Sequence, residues 1–334
     1  MTSRLELFQL SARYGLDAQA AAQLHRLAGL HQQPADLPQR VLRGTALLAA
    51  GLAGLGLLMW LAANWGEWGR AARFGLLQFL LLASALGAAL LPQVRTALAL
   101  FCLLSLGGLL AFFGQTYQTG ADSWQLFALW AALGLPLALG ARSDLLWAFW
   151  AVIVMLAIGL WMQTHLAGRW VAQTTGLSAD LAVQALALGL AALLLLLLSP
   201  LSRRWTGAGT IALRSAMAMT SAFATAVALS GLFHASTGPQ FWLGLCFLLL
   251  AAAPLTLSPR HFDLSLLSML ALGMNILLVF SFAQALSPSI GPLSGDPFKL
   301  LLTGVAAALL MAASVSALMR LKRRRLLTEP AHEA

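Results

Sequence analysis

Two short polar stretches hold most of the side chains in this sequence that could bind a ligand. They are NWGEWGRAAR at 64–73 and GQTYQTGADSW at 114–124. Guanidinium groups pair with anions, amides donate and accept hydrogen bonds, and aromatic rings supply rigid apolar contact. The stretches therefore predict a site for a polar ligand such as a sugar or an anionic headgroup. The candidate binding residues are Asn64, Trp65, Glu67, Trp68, Arg70, Arg73, Gln115, Tyr117, Gln118, Asp122 and Trp124.

A plainer interpretation of both stretches stays open. Tryptophans beside a short loop are typical of the aromatic belt at a membrane surface. Glu67 and Arg70, three positions apart, would then form an exposed ion pair worth well under ~1 kcal/mol. Asp122 stands three positions before Gln125, which is the capping-box spacing, so its carboxylate has helix capping as an alternative role.

The sequence lacks the motifs of several other chemistries. It contains no phosphate-binding loop, no nucleophile elbow and no paired-histidine zinc motif. Its six histidines are scattered, and its two cysteines, Cys102 and Cys246, lie inside apolar runs where a thiol is an ordinary packing residue. We therefore predict no metal and no cofactor. A transferase acting on lipid-linked sugars stays a weaker alternative, with Glu67 or Asp122 as its base.

Composition indicates that the two stretches belong to a membrane protein. Of 334 residues, 60% are hydrophobic and 9% are charged, whereas about a quarter of a soluble domain is charged. A helix that crosses a bilayer needs ~20 mostly apolar residues. The predicted fold is an all-α polytopic integral membrane helical bundle of about ten transmembrane helices. The predicted spans are 44–64, 71–91, 94–113, 123–140, 144–162, 179–199, 210–233, 239–257, 262–284 and 297–319.

The distribution of basic residues predicts the orientation of these spans. With both termini on one side, that side receives sixteen of the 20 lysines and arginines. The other side receives Arg70, Arg73, Arg169 and Lys299. The positive-inside rule then makes both termini cytoplasmic. The two polar stretches would face outward.

Three regions are predicted along the chain. Residues 1–40 form a cytoplasmic pair of amphipathic helices, about 3–14 and 18–30, with Asp17 as the N-cap of the second and Pro34 and Pro38 in a linker. Residues 44–319 form the transmembrane domain, and 320–334 form a basic cytoplasmic tail.

Partners are predicted from the charge of these regions. The run Arg320–Arg325 is suited to anionic headgroups of the lipid bilayer. The net charge of +9 is otherwise spread over short connections, so we predict no nucleic-acid partner. A membrane-protein partner or a second copy of the chain is an open alternative.

Polar and small residues within the spans predict helix packing. Gln78, Gln184, Asn275 and the threonines of 220–225 are expected to form hydrogen bonds between helices. Gly304, Ala308 and Ala312, four positions apart, are expected to let helices approach closely. Five acidic residues fall at predicted helix starts, where carboxylates cap helices: Asp122, Asp144, Asp180, Asp263 and Asp296.

The N-terminal half resembles a bacterial family of predicted multispanning inner-membrane proteins of unknown function. The resemblance rests on the turn AANWGEWGR after the first span and on YQTGADSWQLFALWAALGLPLAL from Tyr117 onward. It covers about residues 1–145, with Ala121 inserted between Gly120 and Asp122 relative to the family pattern. It implies a bacterial inner membrane and no established activity. We expect non-enzymatic binding or transport of a polar or lipid-linked envelope solute, with an accessory subunit of a membrane complex as the alternative.

Overall fold

The computed structural model describes residues 14–27, 37–63, 66–117, 120–166, 177–233, 237–258, 262–286 and 297–328. The regular elements in these ranges are helices. They are α1 (Ala18–Leu27), α2 (Leu37–Ala63), α3 (Arg70–Leu90), α4 (Arg95–Tyr117), α5 (Ser123–Ala141), α6 (Asp144–His165), α7 (Leu177–Leu198), α8 (Arg203–Thr206), α9 (Thr210–Leu232), α10 (Pro239–Leu257), α11 (Leu264–Leu286) and α12 (Pro297–Thr328).

Within the described ranges, ten helices are long and apolar enough to cross a membrane. These are α2 to α7 and α9 to α12, and each corresponds to one predicted span. The predicted all-α polytopic fold is confirmed. The predicted ends agree within a few residues, except that α2 begins at Leu37 and α12 continues to Thr328, into the region predicted as a tail. Pro38 therefore lies in the first helical turn, where its missing N–H has no intrahelical partner to lose, and its predicted place in a linker is wrong.

The chain divides into two units, residues 1–53 and 54–334. In the first unit, the Asp17 carboxylate accepts the backbone N–H of Ala20 at 2.7 Å, which confirms the predicted N-cap of α1. The predicted helix 3–14 and Pro34 lie outside the described residues, apart from Tyr14.

In the second unit, α9 is the central helix. It packs on α6, α7, α10 and α11. Alanines at 212, 216, 224 and 228 are 0% exposed and let these neighbours approach closely. A methyl group at Gly244 of α10 would lie 2.5 Å from the carbonyl oxygen of Ala224, so the two backbones are nearly in contact.

The helices α3, α4, α5 and α6 pack in sequence order, and α6 joins them to α9. Indole N–H groups cross between neighbouring elements here. Trp130 Nε1 donates to Leu103 O at 2.8 Å, and Trp150 Nε1 donates to Ala131 O at 2.8 Å. Trp147, which is 0% exposed, donates to Thr206 O at 2.7 Å. Indoles that donate across a helix contact in this way fix the offset of one helix against the next.

Helix α12 lies at the edge of the second unit, packed on α11. Asn275 Oδ1 accepts the Ser314 hydroxyl at 2.9 Å across this contact. Gly304, Ala308 and Ala312 are exposed, and a methyl group at Gly304 would meet nothing within 4 Å. These small residues were expected to let helices approach closely, but no described helix does so there, because the contact with α11 uses another face of α12.

Most of the predicted hydrogen bonds between helices are confirmed. Asn275 bonds to α12, Gln184 Nε2 lies 3.4 Å from the Ser230 hydroxyl, and Thr220 lies 3.7 Å from the sulfur of Met155. Gln78 is exposed on α3, and Thr225 donates to Ser221 O within α9 at 2.8 Å, so the predictions for these two residues are wrong.

The five predicted helix caps differ in outcome. Asp263 caps α11, since its carboxylate accepts the backbone N–H groups of Ser265 at 2.8 Å and Leu266 at 3.3 Å. Asp144 begins α6, but its carboxylate bonds to the start of α9 instead. Asp180 is buried in the first turn of α7, and Asp296 lies outside the described residues. The remaining one, Asp122, belongs to the candidate site.

Candidate functional site

The two polar stretches flank one end of the α3–α4 pair, because α3 begins with Arg70 where α4 ends with Tyr117. We name this the Tyr117 end of the second unit, and the opposite end, where α4 begins, the Arg95 end. Short connections place the starts of α5, α7 and α10 at the Tyr117 end, with the ends of α6, α9 and α11.

Four aromatic side chains join α3 to α4 at the Tyr117 end. The ring of Phe74 lies 4.5 Å from that of Phe112 and 6.0 Å from that of Tyr117, and Phe113 lies 4.7 Å from Tyr117. We call these four residues the aromatic cluster. Tyr117 was predicted from the sequence, whereas the three phenylalanines were missed. The available signal was their position in the sequence: they directly follow the first polar stretch or directly precede the second.

The first turn of α3 carries two of the predicted site residues beside this cluster. Arg70 is exposed and Arg73 is half-buried. Gly69 occupies the N-cap position and offers no side-chain cap, and the first turn contains no acidic residue. Cations at a helix N-terminus are disfavoured by about 0.3–1 kcal/mol each, whereas an anion is favoured there. This end of α3 is therefore suited electrostatically to an anionic group.

The turn between α2 and α3 holds Glu67 and Trp68. Glu67 is exposed, and the described ion pairs do not include the predicted pair of Glu67 with Arg70. That prediction is wrong, since two exposed side chains gain little from pairing. Trp68 is half-buried and its ring stands edge-on to Trp60, with centroids 5.0 Å apart. Asn64 and Trp65 lie outside the described residues.

The second polar stretch spans the end of α4 and the start of α5. Gln115 is exposed on α4, and Gln118 lies outside the described residues. Asp122 is the N-cap residue of α5, but its exposed carboxylate makes no capping hydrogen bond. Its backbone carbonyl accepts the N–H of Gln125 at 3.0 Å instead. The predicted capping role of the carboxylate is therefore wrong, which leaves it available for another partner.

Trp124 is oriented toward α6. Its ring lies 6.4 Å from the imidazole of His165, which in turn lies 4.6 Å from the ring of Trp161. The structure thus pairs Trp124 with the end of α6, and gives it no ring contact with the aromatic cluster. His165 was not predicted as part of the site, and the sequence carried no signal for it.

The Arg95 end holds a different polar arrangement. Arg214 Nη2 lies 3.0 Å from the Asp263 carboxylate and ties α9 to the start of α11. Partial burial raises the pKa of Asp263, but hydrogen bonds from Arg214 and from the backbone N–H groups of Leu266 and Ser265 outweigh it. The net effect lowers the pKa of this carboxyl below its ordinary value. Both side chains serve helix packing and capping.

The described residues hold no group of three or more His, Cys, Asp or Glu side chains that could bind a metal ion. Cys102 is buried, Cys246 is exposed, and both are free thiols.

An apolar crevice lies between the part of α2 after residue 53, α3 and α4. It encloses about 20 Å³, which is space for roughly one water molecule. Its lining residues are Gly54, Leu57, Leu77, Leu80, Phe101, Leu104, Ser105 and Gly108. A solute of the size of a sugar does not fit there.

Comparison with known proteins supports the resemblance drawn from the two turns. Residues 9–147 match the model of a family described as "Predicted membrane protein (DUF2157)". The matched segment runs from the N-terminal region through the start of α6, so it includes both polar stretches and the aromatic cluster. No curated protein and no solved structure matches the chain. The chain is thus a membrane protein with many apolar helices, similar over residues 9–147 to a family without an assigned activity.

Proposed function

We propose that this protein is a non-enzymatic binder of an anionic lipid headgroup at the outer face of a bacterial inner membrane. The site is the Tyr117 end of the α3–α4 pair. The observation that carries the proposal is the combination of Arg70 and Arg73 in an uncapped first helical turn with the aromatic cluster alongside.

Electrostatics favours an anion at this position. Two guanidinium groups and the positive end of the α3 dipole act together on one turn, and no acidic side chain of that turn opposes them. A phosphate group would accept hydrogen bonds from the arginines and from free backbone N–H groups. Such a ligand would also relieve the repulsion between the arginines and the helix dipole.

The aromatic cluster favours a ligand that is attached to lipid. Tyr117 is 55% exposed and Phe113 is 48% exposed, so both rings present apolar surface beside the arginines. Aromatic side chains of this kind favour the membrane interface, where an acyl chain and a headgroup meet. The crevice beneath is too small for a solute, which favours binding at this surface over passage through these helices.

The test compares two pairs of arginines. We expect vesicle phosphatidylglycerol to raise the midpoint of thermal unfolding of the purified wild-type protein, relative to phosphatidylcholine. Arg70→Gln combined with Arg73→Gln should remove at least half of this rise. Arg203→Gln combined with Arg204→Gln, exposed arginines at the Arg95 end, should remove less. Equal losses in the two double variants would contradict the proposal.

A second arm distinguishes the source of the anion. Glycerol phosphate carries the same charged group without acyl chains. If it raises the unfolding midpoint of the wild type as strongly as the lipid does, the ligand is a soluble anion and the lipid part of the proposal is wrong.

A second candidate function is an accessory subunit of a membrane complex. The observation that favours it is the exposed row of Gly304, Ala308 and Ala312 on α12, since small residues at this spacing let a partner helix approach. We expect Gly304→Ile combined with Ala308→Ile to reduce association with a partner helix or a second copy. Val305→Ile combined with Leu309→Ile, at two exposed positions of the same helix, should not reduce this association. Native mass spectrometry of the assemblies from mild detergent measures the difference.

A further inference from the structure

The Tyr117 end contains a buried side-chain amide without a hydrogen-bonding partner. Gln240, in the first turn of α10, is 0% exposed. Among the residues that the structure describes, neither its Nε2 nor its Oε1 atom has a hydrogen-bond partner. Buried polar groups in folded proteins are almost always satisfied, by protein or by an ordered molecule. The need is greater inside a membrane protein, where bulk water is excluded.

A second amide lies close by on α7. Gln184 is 3% exposed, its Nε2 lies 3.4 Å from the Ser230 hydroxyl, and its Oε1 has no partner. The residue after Ser230 is Gly231, where a methyl group would lie 3.0 Å from Cβ of Gln240. The two amides therefore flank consecutive residues of α9.

Helix α11 adds two further polar atoms at the Tyr117 end. Ser281 Oγ and Gln284 Oε1 are buried without partners in the last turns of that helix. Helix α11 packs on both α9 and α10, and the ring of Phe280 lies 5.9 Å from that of Phe233 at the end of α9. Polar atoms without a hydrogen-bond partner thus lie on three helices that pack on α9: α7, α10 and α11.

The chemistry of these atoms defines what would satisfy them. The carbonyl oxygens of Gln184 and Gln240 need donors, and the NH₂ group of Gln240 needs an acceptor. A carboxylate or phosphate would leave the oxygens unpaired, and a metal ion would leave the NH₂ group unpaired. A hydroxyl group donates and accepts at once.

We infer that the end of α9 at Gln184, Ser230 and Gln240 is a binding site for a hydroxyl-bearing molecule. The site is separate from the proposed headgroup site, because it is built on α7, α9 and α10. The hydroxyl comes from ordered water or from a polyol such as a sugar.

The first test uses the sign of a stability change. Gln240→Met keeps the length of the side chain and removes both polar atoms. If a hydroxyl group is bound, the change lowers the midpoint of thermal unfolding by several degrees, because the ligand loses its anchor. A truly unpartnered amide would be relieved by the apolar side chain, so an unchanged or raised midpoint overturns the inference. Gln78→Met, at an exposed glutamine of α3, should leave the midpoint unchanged.

A second test uses the wild-type protein and does not depend on a variant folding. X-ray radiolysis turns bound water into hydroxyl radicals that oxidise adjacent buried side chains. With ordered water, Leu232, which is next to Gly231, should be oxidised more than Leu270. Both leucines are buried, with 5% and 1% of their surface exposed. With a polyol, native mass spectrometry should show an extra bound mass that Gln184→Met loses. The absence of both signals overturns the inference.

Discussion

The Asp144 carboxylate accepts the backbone N–H of Gly209 at 2.8 Å, although 65 positions separate the two residues. The same carboxylate accepts the N–H groups of Ile211 at 2.9 Å and Ala212 at 2.8 Å. It therefore satisfies the free N–H groups at the start of the central helix α9, while standing itself at the start of α6. One side chain thus fixes the relative height of two parallel helices.

Removal of this charge should destabilise the protein. Asp144→Asn replaces one acceptor oxygen with a donor that opposes the N–H groups of α9, and we expect a loss of about 1–3 kcal/mol in unfolding free energy. Asp122→Asn is the matched control, because that carboxylate makes no capping bond, and it should change little. Chemical denaturation in detergent measures both, and equal losses would contradict the assigned role of Asp144.

The close approach of α9 and α10 at Gly244 should not tolerate a methyl group. Gly244→Ala would place Cβ 2.5 Å from Ala224 O and 2.8 Å from Ala228 N, which are backbone atoms of α9 and cannot rotate away. We expect destabilisation of about 1–3 kcal/mol. Gly189 of α7 has open space around it, so Gly189→Ala should be neutral or slightly stabilising. Thermal unfolding of the two variants decides the point, and a tolerated Gly244→Ala would exclude the close contact.

The indole of Trp147 should contribute through its N–H as well as its size. Trp147→Phe leaves the buried carbonyl of Thr206 without its donor and opens a small void, and we expect a loss of about 1–3 kcal/mol. Trp205 follows in α8 and is 68% exposed, so Trp205→Phe should have little effect on stability. If both variants unfold at the wild-type midpoint, the hydrogen bond to Thr206 is not a packing determinant.

The Arg214–Asp263 pair should make stability depend on pH in the acidic range. The folded pKa of Asp263 is lowered, so its stabilisation is fully present above the unfolded pKa of about 3.9 and is lost as pH falls below it. The wild type should lose stability relative to Asp263→Asn as the pH falls from about 4 through the lowered pKa of Asp263. The effect is at most ~1 kcal/mol, because the Arg214 side chain is 43% exposed. An identical pH dependence of the two proteins would show that the pair does not contribute.

The predicted orientation can be tested with single cysteines in a Cys102→Ser, Cys246→Ser background. A membrane-impermeant maleimide added to spheroplasts should label Glu67→Cys and Asp122→Cys, since both are exposed at the Tyr117 end. It should label Arg203→Cys, at the Arg95 end, only after the membrane is opened. Labelling of Arg203→Cys alone would show that the orientation is the opposite of the predicted one. Labelling of only one of the first two would contradict the antiparallel pairing of α3 and α4.

The sequence predicted which two turns form the candidate site, but it predicted only some of the residues that meet there. Arginine, tyrosine and tryptophan stand out in an apolar chain, so their types and order marked the two turns. The contact of Phe74 with Tyr117 was not predictable, because phenylalanine is an ordinary residue of a membrane span and its partner depends on the packing of α3 on α4. Trp124 was assigned to the same group, although packing directs it toward His165.

The sequence by itself determined the helical class, the number of spans and the approximate ends of most of them. Those properties follow from the local length of apolar segments, because every backbone hydrogen bond must be made within the helix that crosses a bilayer. Only the tertiary structure decided that α9 is central, that Asp144 caps a distant helix and that Gln184 and Gln240 flank the end of α9. Such relationships depend on which faces of which helices pack together, and apolar spans that look alike in sequence carry no local record of that choice.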